Sequence, residues 1–171
     1  MKIAIVGSGS VGSCLGGMLT LTGNDVTFIA RGDNLVALRE RGLRLERPFA
    51  ETPEARDQTI PVKATDDPAS VGLVDLVIFV VKAYDLETAA TTAKPLIGAN
   101  TVVLPLQNGI DHVDELVRIL GGGRVVAGPV EILVERLAPG HVLQRAPLVR
   151  ITFGELDGSS SERVERIAAT L

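Results

Sequence analysis

The chain has 171 residues, a net charge of −4 at neutral pH and 46% hydrophobic residues, a composition typical of one globular domain. The acidic balance argues against the broad basic surface of a nucleic-acid-binding protein. The single cysteine, Cys14, excludes an intrachain disulfide and a multi-cysteine metal centre, and no apolar run reaches the roughly 18 residues of a membrane span. We therefore expect a cytoplasmic protein with no metal site and no membrane or nucleic-acid partner.

Short apolar strands alternate with helical stretches along the chain. Strands are predicted at 2–6, 25–30, 43–47, 60–63, 75–82, 101–105 and 125–134, with antiparallel strands at 142–144 and 149–153. The first helix is predicted to follow the glycine-rich segment 7–12 and to end at residue 22. Further helices are predicted at 33–41, 85–97 and 111–120, and from 162 onward, where Ser160 or Ser161 is the cap. This alternation predicts a doubly wound α/β fold, whose mostly parallel sheet has helices on both faces. The most apolar strand, 75–82, is expected to be central.

A glycine-rich loop directly follows the first strand and opens the first helix. Residues 7–12 fit G-x-G-x-x-G, the loop that holds a dinucleotide pyrophosphate at a helix N-terminus. Gly7 would allow the tight turn, Gly9 the close approach of phosphate to the backbone, and Gly12 the close packing of helix on strand. The predicted cofactor ligands in this loop are Gly7, Ser8, Gly9, Ser10, Val11 and Gly12. The alternative is an ordinary glycine-rich turn.

The end of the second strand indicates which dinucleotide is bound. An NAD site usually has an acidic residue there, whereas this sequence has Ala30-Arg31-Gly32. The fork of Arg31 suits a 2′-phosphate and therefore favours NADP. The alternative for Arg31 is a solvated surface arginine. We expect Asp33 to be a helix cap rather than a ribose ligand.

Two polar residues follow later strands, at the edge where ligands bind in open parallel sheets. Lys82 ends the most apolar strand, and Asn108 opens an Asn-Gly pair after the strand at 101–105. Each has a structural alternative, a snorkelling lysine or simple turn chemistry. Gln107 is a weaker candidate, and strand parity leaves the direction of Glu131 open.

The remaining reactive side chains are expected to be structural. Cys14 lies on the first helix and is predicted to be packed, without a base to activate it. His112 is expected to be exposed in the first turn of a helix, and His141 to lie in a turn. The pair Gly16-Gly17 costs helix propensity, which close packing on the sheet would explain.

Five segments in order resemble the ketopantoate reductases, or 2-dehydropantoate 2-reductases. They are KIAIVGSGSVGSCLGGML (2–19), IARGDNLVALRERGLRL (29–45), VIFVVKAYDLETA (77–89), LPLQNGIDHVDEL (104–116) and APGHVLQ…ITFGELDG (138–158). The resemblance implies a Rossmann-type NADP-binding domain over 1–171 and NADPH-dependent reduction of 2-dehydropantoate to (R)-pantoate, in pantothenate and coenzyme A synthesis. It matches residues 7–12 to the dinucleotide loop and Arg31 to the 2′-phosphate arginine. It matches Lys82 to the lysine that ends the family's central strand, and Asn108 to the asparagine of its Asn-Gly motif, which contacts cofactor and substrate near the nicotinamide. Both are the predicted catalytic residues of this chain, where Lys82 could neutralise the cofactor or orient a carboxylate or carbonyl of the substrate. Val134 falls loosely near a backbone contact to the cofactor.

The resemblance also implies that part of the enzyme lies outside this chain. The family's general-acid lysine belongs to a helical C-terminal domain, for which residues 1–171 offer no candidate. We therefore expect this chain to be the cofactor half of a 2-oxo acid reductase and to be inactive alone. The uncovered crevice and an apolar stripe on the last helix should lead to a homodimer. The stripe consists of Val164, Ile167, Ala168 and Leu171, and the alternative is a monomer in which the last helix packs on its own sheet. The alternative function is a stand-alone, non-catalytic module that senses NADP(H).

Overall fold

The computed structural model describes residues 1–171 as eleven strands and six α-helices. The strands are β1 (Lys2–Val6), β2 (Asp25–Ile29), β3 (Leu43–Glu46), β4 (Asp57–Ile60), β5 (Lys63–Thr65), β6 (Leu76–Phe79), β7 (Val102–Pro105), β8 (Val126–Ala127), β9 (Val130–Ala138), β10 (His141–Ile151) and β11 (Gly154–Glu155). The helices are α1 (Ser10–Leu21), α2 (Gly32–Arg41), α3 (Pro53–Arg56), α4 (Leu86–Thr92), α5 (Asp111–Leu120) and α6 (Glu162–Ala168).

Five of these strands form a parallel sheet in the order β5-β2-β1-β6-β7. The predicted α/β architecture with a mostly parallel sheet is therefore confirmed. β1 occupies the middle, with Val6 beside Ile29 of β2 and Phe79 of β6. The apolar strand β6 is interior, but it is not the middle strand. Because β2 and β6 flank β1, the loops that follow all three strands open at one edge.

A second sheet has the order β4-β3-β10-β9, with β10 parallel to β3 and antiparallel to β9. The two short strands predicted at 142–144 and 149–153 are instead one strand, β10, interrupted by an irregularity between Gln144 and Val149. The predicted strand at 60–63 is also wrong. Residues 57–60 form β4 and residues 63–65 form β5, and the two strands join different sheets.

Helix α1 lies between the two sheets, and its paired glycines make this possible. A Cβ on Gly16 would lie 2.5 Å from the ring of Phe28 in the parallel sheet, and one on Gly17 would lie 2.8 Å from Leu43 Cδ2 in the second sheet. The expectation that close packing explains Gly16-Gly17 is confirmed. Cys14 is also fully buried here, and burial raises the pKa of its thiol to about 11, so it is a packed residue as predicted.

The other face of the parallel sheet is covered by α4 and α5. Helix α4 is shorter than the predicted 85–97, because Pro95 lacks the N–H that a continuing helix requires. Residues 94–96 form a 3-10 turn instead. At the end of the chain, the Ser161 side chain accepts a hydrogen bond from Val164 N and caps α6 as predicted, and Ile167 is buried in the core.

Candidate functional site

The carboxyl ends of β1, β2 and β6 surround a cleft of about 710 Å³. The glycine loop forms its base, the start of α2 forms one wall, and the start of α4 forms the other. Its charged lining residues are Arg31, Asp66, Lys82, Asp85 and Arg136. The cleft therefore combines exposed backbone with three cations and two carboxylates.

Each glycine of the loop has the environment that its predicted role requires. Gly7 adopts φ +108°, and a Cβ there would meet Val81 at 2.9 Å. No heavy atom lies within 4 Å of a Cβ position on Gly9, so that position faces open space. A Cβ on Gly12 would lie 2.0 Å from the carbonyl oxygen of Gly7. The loop is thus tightly packed at Gly7 and Gly12 and open to the cleft at Gly9.

The N-terminus of α1 faces the same open space. Gly9 is its N-cap residue, and no side chain caps the first turn. The first N–H groups of a helix have no partners within the helix, and the helix dipole adds a partial positive charge. Gly7, Ser8, Gly9 and Ser10 line the cleft, whereas Val11 and Gly12 are not among its lining residues. This arrangement suits a phosphate group.

A buried amide holds the loop in place. Asn34 Nδ2 donates to the carbonyl and hydroxyl oxygens of Ser8, both at 2.7 Å, and its Oδ1 accepts from Gly140 N at 2.8 Å. The interpretation of Asp33 as a helix cap is wrong, because Arg31 occupies the N-cap position and α2 has no side-chain cap. The partners of Asn34 lie 26 and 106 residues away, which explains why sequence patterns missed it.

Arg31 lies at the mouth of the cleft with its side chain 76% exposed. Its Nη2 donates to Asp85 Oδ2 at 2.7 Å, and this hydrogen bond raises the pKa of the guanidinium. Asp85 directly precedes α4, but its side chain makes no capping hydrogen bond there and instead accepts from Arg31. The two residues are 54 positions apart, and no local sequence pattern indicates that they pair.

Lys82 follows β6 and lines the cleft. Its side chain is exposed and forms no salt bridge or hydrogen bond, which leaves its charge available to an anion. The turn before it is fixed by Gln107, whose Nε2 donates to the carbonyl of Val81 at 2.7 Å. The Oε1 atom of Gln107 is buried without a partner.

Asn108 is exposed on the loop after β7 and is not among the residues that line the cleft. Gly109 beside it adopts φ +105°, the conformation expected of an Asn-Gly turn. The structure adds Arg136 from β9 to the lining, a residue that no motif of the sequence indicates.

The other residues considered lie away from the cleft. Glu131 faces away from the core and pairs with Arg150 at 3.5 Å, while Val134 packs toward the core from the same strand. His112 was expected to be exposed but is partly buried, which lowers its pKa and leaves Nδ1 without a partner. His141 begins β10 and contacts Glu46 Oε1 at 2.6 Å.

Comparison with known proteins identifies close relatives of the whole chain. The sequence profile of the family "Ketopantoate reductase PanE/ApbA" matches residues 3–158. The 2-dehydropantoate 2-reductase of Mesorhizobium japonicum is 30% identical over 98% of this chain and 56% of its own length. The crystal structure of the 2-dehydropantoate 2-reductase from Porphyromonas gingivalis W83 superposes with a TM-score of 0.89, at 35% identity, over 99% of this chain and 60% of that one.

A structure of D-mandelate dehydrogenase with NADH and anilino(oxo)acetate is also similar. It has a TM-score of 0.87 and 26% identity over 99% of this chain and 53% of that one. The chain spans about half the length of the curated relatives it matches. None of its helices combines the length and apolar character that a membrane span requires.

Proposed function

Because the chain belongs to the ketopantoate reductase family, we propose that residues 1–171 are an NADPH-binding domain of a reductase for 2-oxo acids. The specific reaction proposed is the reduction of 2-dehydropantoate to (R)-pantoate, the reaction for which relatives such as that of Mesorhizobium japonicum are named.

One observation carries the cofactor assignment. The open space above Gly9 lies in front of the uncapped N-terminus of α1, and the exposed fork of Arg31 lies at the mouth of the same cleft. The loop would hold a pyrophosphate through backbone N–H groups, and Arg31 would hold a 2′-phosphate through two parallel hydrogen bonds. The residues present therefore fit a phosphorylated dinucleotide.

The proposed role of Lys82 follows from its charge and position, and that of Asn108 from the family resemblance. Bound nicotinamide dinucleotide in its reduced form supplies a hydride to the carbonyl carbon of the substrate. The free ammonium of Lys82 would attract the carboxylate of a 2-oxo acid or a cofactor phosphate, and Asn108 would bind both ligands through its amide. In this proposal the general acid lies outside residues 1–171, so this chain alone would oxidise NADPH negligibly with 2-dehydropantoate.

Calorimetric titration with NADPH and NADH tests the proposal. We expect tighter binding of NADPH, and an Arg31→Ala variant should lose about ten- to a hundredfold in NADPH affinity while NADH is little affected. Arg41→Ala is the matched control, because Arg41 lies at the far end of α2 and outside the cleft. Equal affinities for both dinucleotides, or no loss in Arg31→Ala, would contradict the NADP assignment.

A further inference from the structure

The guanidinium that would bind the 2′-phosphate already has an anionic partner. Arg31 Nη2 and Asp85 Oδ2 are 2.7 Å apart, and Asp85 is the more enclosed of the two, with 28% of its side chain exposed. Asp85 lies directly before α4 and makes no capping hydrogen bond there. The carboxylate therefore contributes no bond to its own helix, and its side-chain hydrogen bond is to Arg31.

The pair also spans the cleft. Arg31 follows β2 and Asp85 lies beyond the end of β6, the two strands on either side of β1. The glycine loop begins at the end of β1, between them. A ligand phosphate that reaches Arg31 must therefore bind beside Asp85 or displace it.

We propose that Asp85 is a specificity-determining residue, an internal competitor for Arg31 that lowers the preference of the site for dinucleotides with a 2′-phosphate. The inference rests on the proposed function, because it concerns the same dinucleotide site. A phosphate and a carboxylate are both acceptors for the arginine fork, and their like charges disfavour binding side by side. A dinucleotide with a free 2′-hydroxyl carries no charge at that position and incurs no such competition.

An opposite role for Asp85 would have an opposite signature. If the carboxylate instead oriented the Arg31 fork for the phosphate, its removal would weaken NADPH binding. If it accepted a hydrogen bond from a ribose hydroxyl, its removal would weaken NADH binding. The affinity for NADPH, the affinity for NADH and their ratio, each measured separately, distinguish these two roles from competition.

The test is calorimetric titration of NADPH and NADH into the wild-type chain, Asp85→Asn and Arg31→Ala. Asparagine keeps the size of the side chain, and the absence of a cap bond at Asp85 makes the change compatible with α4. We expect Asp85→Asn to bind NADPH about two- to fivefold more tightly, the range associated with loss of an exposed ion pair, with NADH unchanged. The NADPH-to-NADH preference should rise by the same factor.

Glu87→Gln is the matched control. It removes one negative charge from the same end of α4, where Glu87 pairs with Arg118 at 3.2 Å and lies outside the cleft lining. An equal rise in preference in Glu87→Gln would mean that overall charge is responsible, and it would overturn the assignment to Asp85.

Failure of the inference is distinguishable from failure of the proposed function. If Arg31→Ala weakens NADPH binding but Asp85→Asn leaves the preference unchanged or lower, the competition is refuted and the NADPH site stands. If Arg31→Ala has no effect, or neither dinucleotide binds, the proposed function fails and the inference fails with it.

Discussion

Asn34 joins three parts of the site through one buried amide. It connects α2, the glycine loop at Ser8 and the turn between β9 and β10 at Gly140. All three hydrogen bonds are between 2.7 and 2.8 Å, and the residue is 6% exposed. Because the turn at Gly140 belongs to the second sheet, this amide ties that sheet to the proposed phosphate-binding loop.

We expect Asn34→Ala to destabilise the protein by about 1–3 kcal/mol, because it leaves the Gly140 N–H buried without a partner. The Ser8 carbonyl would keep only its hydrogen bond from Ser13 Oγ at 3.0 Å. Dinucleotide affinity should fall as well, since the loop loses its support. Urea denaturation and calorimetric titration measure the two effects. Asp33→Ala is the control, because Asp33 is exposed on the same helix and has no hydrogen-bonding partner. Equal stability of the two variants would contradict the role of Asn34.

The ion pair between Glu155 and Arg163 should make the stability of the protein depend on pH. Hydrogen bonds from Arg163 lower the pKa of this carboxyl below its ordinary value, with a further contribution from Ser161. A lowered folded-state pKa stabilises the protein above the ordinary glutamate value of about 4.3, and this stabilisation is lost as the pH falls through the folded-state pKa. The charged form of Glu155 should therefore stabilise the fold at neutral pH and not in acid.

We expect Glu155→Gln to lower the free energy of unfolding by about 1.5–3 kcal/mol at pH 7, the range for hydrogen bonds to charged groups. The difference from wild type should shrink as the pH falls below about 4.3. Urea titrations at pH 7 and pH 3.5 measure it. In the control Glu135→Gln, an exposed pair with Arg145 is lost, which should change stability by about 0.5 kcal/mol. A difference between wild type and Glu155→Gln that is independent of pH would refute the electrostatic explanation.

Within helix α1, Gly16 packs against the parallel sheet and Gly17 against the second sheet, so we expect alanine to have a different effect at each position. Alanine at either position gains about 1 kcal/mol of helix propensity. At Gly16 the new Cβ would lie 2.5 Å from two atoms of the Phe28 ring, and a rigid ring must move as a whole to relieve the contact. At Gly17 it would meet the methyl ends of Leu43 and Leu45 at 2.8 and 3.3 Å, and these ends can shift.

We therefore expect Gly16→Ala to destabilise the protein by about 1–3 kcal/mol and Gly17→Ala to be close to neutral. Thermal unfolding of both variants side by side is sufficient, because each serves as the control for the other. Should Gly17→Ala prove the more damaging, the leucines of β3 are less adaptable than the ring of Phe28.

The strands β1, β2, β6 and β7 of the parallel sheet were predictable because each is a local apolar run followed by its own helix, whereas the short polar strand β5 was not. The glycine loop was predictable for the same reason, since strand, turn and helix are contiguous in sequence. The second sheet was not, because β10 pairs with β3 across about a hundred residues, as in His141 beside Arg44. The Arg31–Asp85 pair and the contacts of Asn34 were missed for the same physical reason, because pairing between distant segments leaves no periodic signal.

At the scale of the whole molecule, apolar side chains remain exposed at the open edge of the parallel sheet. Tyr84 is 86% exposed beside the cleft, and Ile110 is 85% exposed on the loop after β7. Leu106, between β7 and Ile110, is buried, as is Ile167 of the final helix. Dimerisation remains a prediction. We expect it to depend on the exposed rim at Tyr84 and Ile110 more than on the apolar stripe of α6, because Ile167 of that stripe is buried.

We expect concentration-dependent self-association of the 18.0 kDa chain, because exposed apolar patches favour partners and a two-fold pair is the commonest closed assembly. Sedimentation equilibrium over a wide concentration range measures it, and the double variant Tyr84→Ser, Ile110→Ser should dissociate more readily. Leu73→Ser is the control, because Leu73 is 62% exposed but lies before β6, at the opposite edge of the sheet. A single 18.0 kDa species at all concentrations would contradict self-association. Dissociation by Leu73→Ser alone would place the interface at the other edge.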